Sequence, residues 1–75
     1  MPILKKRSFS IAGHRTSIAL EPEFWKVLEE QAYAERMPLA GLVARVDASR
    51  GERPLASALR VYALMRAVAQ STGPL

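Results

Sequence analysis

The chain has 75 residues, a net charge of +4, nearly half apolar residues and no cysteine. Disulfides and zinc-thiolate sites are excluded, and one histidine, His14, without a His/Asp/Glu cluster makes a structural metal unexpected. A lone domain of this length buries only about 60% of its unfolded surface. A partner chain is the remaining way to complete the core, so a homodimer is expected.

Lys5, Lys6 and Arg7 resemble a charged leader, but Ser8, Ser10, Gly13, His14 and Arg15 interrupt any apolar stretch behind them. No run approaches the ~20 apolar residues that cross a bilayer. A cytoplasmic protein without membrane attachment or cofactor is expected.

The surplus charge is confined to the first twenty residues. Lys5, Lys6, Arg7 and Arg15 lie there with no Asp or Glu, whereas the seven basic and seven acidic residues from Glu21 onward cancel. A basic segment before a neutral body suits the gripping of an anionic polymer.

Residues 1–7 read as a flexible basic arm. Residues 14–20 read as the main strand, because Thr16, Ile18 and Leu20 alternate with Arg15, Ser17 and Ala19. Phe9 and Ile11 fall out of phase with that pattern, and Gly13 interrupts it. Glu21-Pro22-Glu23 predicts a helix start, with a helix over 22–36 burying Phe24, Trp25, Leu28 and Ala32. Pro38 opens a second helix whose Leu39, Leu42, Val43 and Val46 share one face, and Gly51 ends it. Pro54 opens a third, with Leu55, Leu59, Tyr62, Met65 and Val68 on one side and Val61 and Leu64 on another. So broad an apolar surface is expected to be largely covered. Ser71-Thr72-Gly73-Pro74 reads as a frayed tail.

This is a mainly α chain with one β-strand, and a lone strand leaves backbone groups without partners. The expected partner is the same strand of a second copy, giving an intermolecular antiparallel two-stranded ribbon in an intertwined homodimer. Arg15, Ser17 and Ala19 of both chains would then face solvent. The alternative is a hairpin inside one chain, Phe9–Ile11 against Arg15–Ile18, turning at Ala12-Gly13, with the charges as a solvated edge.

A strand, then Leu20-Glu21-Pro22-Glu23-Phe24-Trp25, then a helix, then Leu39-x-x-Leu42-Val43 resembles the ribbon-helix-helix family of Arc- and MetJ-like repressors. Ala12-Gly13-His14-Arg15-Thr16-Ser17-Ile18 resembles one bacterial branch of it, and the likeness covers roughly residues 14–49. The resemblance implies a domain over 8–51, with an added C-terminal helix and tail over 52–75. It also implies sequence-specific duplex DNA binding, most simply by a transcriptional repressor with its ribbon in the major groove. One dimer or a dimer of dimers could occupy the DNA.

The family's base-reading positions fall on Arg15, Ser17 and Ala19, and its phosphate clamp at the second helix falls on Pro38, Leu39 and Ala40. Lys5, Lys6 and Arg7 would neutralise phosphates. Arg15 can pair with guanine, and Ala19 can at most touch a thymine methyl. Their ordinary alternative is a solvated strand face. The chain departs from the family in having Arg36 where glycine commonly ends the first helix. It also has Pro38 where Ser or Thr commonly caps the second. No catalytic constellation is present: His14 lacks a carboxylate or nucleophile partner at diagnostic spacing, and Ser8, Ser10, Ser49 and Ser57 lack a nucleophile elbow. The competing function is a protein-interaction or assembly module, or an antitoxin-like protein, that binds a partner through the third helix.

Overall fold

A computed structural model describes residues 3–71, with strands β1 (Lys5–Ile11) and β2 (His14–Leu20) followed by helices α1 (Pro22–Ala34), α2 (Leu39–Ser49) and α3 (Leu55–Ser71). The strands form an antiparallel hairpin in which Lys5 faces Leu20, Phe9 faces Thr16 and Ile11 faces His14. The expectation of one strand per chain is thereby corrected. Lys5, Lys6 and Arg7, expected in a flexible arm, are the first three residues of β1. Within the single chain, β2 pairs with β1.

The turn explains the broken phase. Ala12 and Gly13 are its central residues, with φ of 52° and 81°. Positive φ at both positions is the type I′ geometry, whose twist matches that of paired strands. Crossing it puts odd-numbered Phe9 and Ile11 on the same face as even-numbered Ile18 and Leu20.

Ile11, Ile18 and Leu20 of the hairpin are buried together with Trp25, Leu28 and Ala32 of α1 and Leu42, Val43 and Val46 of α2. Phe24, expected in the core, is half-buried against it. From α3 the buried residues are Ala58, Leu59 and Ala63. Leu55 and Tyr62 are half-buried, whereas Val61, Leu64, Met65 and Val68 are exposed, so the third helix is covered less than its composition suggests. The buried side holds two alanines, which let the helix approach its neighbours closely. Ser71 closes α3, and Thr72, Gly73 and Pro74 lie outside the described residues.

Local chemistry sets the helix ends. Pro22 occupies the first position of α1, and the Phe24 and Trp25 amides donate to the Glu21 carbonyl. At the other end the Met37 amide donates to the Ala32 carbonyl and the Arg36 amide to the Tyr33 carbonyl, both at 3.0 Å. That pair is a Schellman motif, and it stops α1 at Ala34, two residues short of the expected end. Its left-handed position is held by Arg36, with φ of 56°. Pro38 is the N-cap of α2 and lies outside the helix, so Leu39 and Ala40 keep their amides. Gly51, with φ of 63°, follows the α2 C-cap.

A polar network joins the three helices. Glu35 accepts from both Arg45 guanidinium nitrogens, at 2.8 and 2.9 Å, and from Gln31 Nε2 at 2.6 Å. The Tyr62 hydroxyl from α3 reaches the same carboxylate at 3.3 Å. Arg45 first, then Gln31, hold the Glu35 carboxyl at about 2, below its ordinary 4.5.

Two outcomes follow. Arg36→Gly relieves a side chain from the left-handed region and should raise stability by about 1 kcal/mol, read as a higher Tm; an unchanged or lower Tm would count against the Schellman assignment. The Glu35 contribution is full above about 4.5 and disappears as pH falls toward about 2. Parent and Glu35→Gln should therefore differ in Tm at pH 7 and converge across that window. A gap that stays constant down to pH 2 would refute the network.

Candidate nucleic-acid interface

A hairpin shows alternate residues to opposite sides. One side of this one faces away from the helices and carries Lys6, Ser8 and Ser10 of β1 opposite Ala19, Ser17 and Arg15 of β2. All are exposed except Ala19, which is half-buried. The middle of the face is small and polar, with the Ser8 and Ser17 hydroxyls hydrogen-bonded at 2.8 Å. Lys6 and Arg15 stand at diagonally opposite ends, and neither strand contains an acidic residue.

Trp25 fixes which side faces out. It is only 2% exposed, and its indole N–H donates to the Lys5 carbonyl at 2.7 Å. The Arg7 guanidinium lies 5.0 Å from the ring centroid and Phe9 stacks at 5.9 Å, tilted by 39°. Lys5, Arg7 and Phe9 are alternate residues of β1, so one side chain of α1 grips that strand along its inner face. Arg7 also pairs with Glu29 of α1 at 2.8 Å.

The sequence-derived candidates therefore separate. Arg15, Ser17 and Ala19 share the outer face with Lys6, and Thr16 turns inward as the alternation requires. Lys5 is exposed at the start of β1. Arg7 is half-buried and committed to Glu29 and Trp25, which removes it from the group of free cations. Among the described residues Lys5, Lys6 and Arg15 form no ion pair. Leu39 and Ala40 open α2, where the first amides of a helix have no intrahelical acceptor. Ser8 and Ser10 were missed as face residues; their signal is the spacing Lys6-x-Ser8-x-Ser10, which mirrors Arg15-x-Ser17-x-Ala19 across the turn.

Among the described residues no group of His, Cys, Asp and Glu could hold a metal ion, and no helix is long and apolar enough to cross a membrane. The face offers positive charge and hydroxyl hydrogen-bonding groups.

The family model of the ribbon-helix-helix domain matches residues 4–67. The chain belongs to that family. The match takes in β1 and most of α3, and so extends beyond the stretch 14–49 that carries the sequence resemblance. No curated protein and no solved structure matches the chain. Ribbon-helix-helix domains generally bind DNA and are typically non-enzymatic, which supports a coarse DNA-binding role for the chain.

The turn that shapes this face is testable. Ala12 sits at φ 52°, where asparagine is far better tolerated. Ala12→Asn should stabilise the protein by on the order of 1 kcal/mol, measured by urea denaturation. Ala12→Val should destabilise it, and equal midpoints for the two would exclude a type I′ turn.

Proposed function

We propose that this chain is a sequence-specific duplex DNA-binding protein, most simply a transcriptional repressor, that lays its two-stranded ribbon in the major groove. The observation that carries this reading is the outer ribbon face, with free cations Lys6 and Arg15, small polar residues between them and no acidic side chain. The major groove admits a two-stranded ribbon, and each base pair presents a distinct donor and acceptor pattern there. Arg15 reads guanine through paired bonds to O6 and N7, Ser17 meets a base edge or phosphate, and Ala19 touches a thymine methyl. Lys5 and Lys6 bind phosphate and give the complex its salt dependence. The Leu39 and Ala40 amides supply a further phosphate contact at the start of α2.

The protein acts in the cytoplasm as a homodimer. Support comes from the general habit of ribbon-helix-helix domains to bind DNA as dimers, and from the exposed Val61, Leu64 and Met65 at i, i+3, i+4 spacing on α3. The same stripe favours the second reading, an interaction or antitoxin-like module in which α3 receives a different protein. Sedimentation separates the two: a mass of two chains at micromolar concentration supports the homodimer, and a monomer leaves the stripe to another partner.

A fluorescence-anisotropy titration against duplex DNA tests the main reading. A dimer meeting six to ten phosphates should lose about 10³–10⁵ in affinity between 50 and 200 mM salt. Arg15→Ala should lower discrimination between a selected site and random DNA by about 1–3 kcal/mol. Lys5→Ala/Lys6→Ala should weaken binding to all duplexes and flatten the salt slope. No duplex binding at 50 mM salt across a random library would overturn the reading.

A further inference from the structure

The third helix leaves an apolar stripe on the surface. Val61, Leu64, Met65 and Val68 are exposed at i, i+3, i+4, i+7 spacing, which places all four on one side of α3. A contiguous apolar patch on a small domain marks a surface that meets a partner. We propose that this partner is a second copy of the chain, its α3 laid antiparallel on this one about a two-fold axis between Leu64 and Met65. This rests on the homodimer reading above and gives it a face and a geometry.

The stripe is complementary to itself. In a two-fold contact the same surface serves both copies. Antiparallel pairing about that axis brings Val61 level with Val68 of the second copy, and Leu64 level with Met65 of the second copy. Valine then meets valine at both rims, and the two longer side chains fill the centre. The centre is also the crest: Leu64 and Met65 are the most exposed of the four, at 57% and 64%.

Charge selects the direction. α3 contains Arg60 and Arg66 and no acidic residue. Parallel helices in register would set each arginine level with its own counterpart, with no carboxylate on either helix to offset the repulsion. Antiparallel helices set Arg60 level with Ala69 and Arg66 level with Ala63.

The helix ends favour the same direction. The first turn of α3 has no acidic residue and its last turn no basic one, so neither end of the dipole is offset within the helix. In the antiparallel pair each end lies toward the opposite end of the other helix. The last turn of the second copy also comes toward a groove of about 360 Å³ that Val61 lines with Val46, Arg50 and Arg53. Arg53 forms no ion pair among the described residues. It offers a cation to the carbonyl end of the incoming helix.

Two turns of one helix bury less than the ~800 Å² per partner of a standard interface. The α3 contact therefore adds to another face that joins the copies, and closes because they are already near.

Engineered cysteines test the pairing, since the chain has none of its own. Val61→Cys and Val68→Cys, refolded together in equal amounts and oxidised with copper phenanthroline, should give a two-chain band on a non-reducing denaturing gel. Either variant alone should give at least about tenfold less of it. Antiparallel pairing holds like positions about 10.5 Å apart along the axis, beyond the ~7 Å reach of a disulfide. Leu64→Lys should raise the dissociation constant measured by sedimentation about tenfold or more, with the circular dichroism of the parent, because the position is exposed.

Strong bands from the single variants would mean parallel helices, and absence of the mixed band would mean no α3 contact. Either result overturns the inference. So does a Leu64→Lys protein that keeps its helix content and the parent's dissociation constant; a two-chain mass in that case leaves the homodimer reading standing on another face. Should Leu64→Lys lose helix, the cysteine variants, which keep the stripe uncharged, decide. A parent that sediments as one chain at micromolar concentration takes down the homodimer reading, and this inference with it.

Discussion

The ribbon depends on one buried indole. Trp25 brings a large apolar ring into the core together with an N–H that must find an acceptor. The acceptor is the Lys5 carbonyl, so burying the ring also ties down the start of β1. Phe9 and Arg7 complete the contact along the same strand. Once the inner face of β1 is held this way, strand geometry leaves Lys6, Ser8 and Ser10 only the outer side. The Ala12-Gly13 turn then brings β2 back in the register that sets Arg15, Ser17 and Ala19 beside them.

The cations are sorted by the same packing. Arg7, Arg45, Arg50 and Arg60 each meet a carboxylate on the helical body. Pairs as exposed as these contribute little stability one by one. Their larger effect is on the field: positive charge cancels across the body and persists at Lys5, Lys6 and Arg15. Arg60 shows how such pairing can also brace the fold, since it bonds Glu21 at 2.9 Å and lies 5.8 Å from the Phe24 ring, joining α3 to the start of α1.

Legibility followed the range of the forces involved. β2 could be read because Thr16, Ile18 and Leu20 alternate cleanly and continue into the Pro22 helix start. β1 could not be read as a strand along its length, because its inward positions include Lys5 and Arg7, residues that look solvent-facing in any local window. What makes them inward is Trp25, some twenty residues away in sequence. The break in phase at Gly13 was visible, and its cause is the reversal of the chain. In α3, Leu55, Leu59, Tyr62, Met65 and Val68 suggested one covered side and Val61 and Leu64 another, but of these only Leu59 is fully buried. The close approach of the helices instead favours Ala58 and Ala63, small residues that carry a weak hydropathy signal. The outward register of Arg15, Ser17 and Ala19 was legible from alternation alone, whereas the loss of Arg7 from that basic group required the fold.

A two-stranded sheet has two bare edges, and each is a template on which further strands can grow. One edge here belongs to β1, which begins with Lys5 and Lys6, cations that form no ion pair among the described residues. Another copy adding itself by that edge would bring a second Lys5-Lys6 pair against the first. The charge that attracts a polyanion thus also resists polymerisation of the protein when no polyanion is bound. Neutralising those residues to weaken DNA contacts would remove that safeguard, exposing an apolar-backed hairpin to strand-by-strand aggregation.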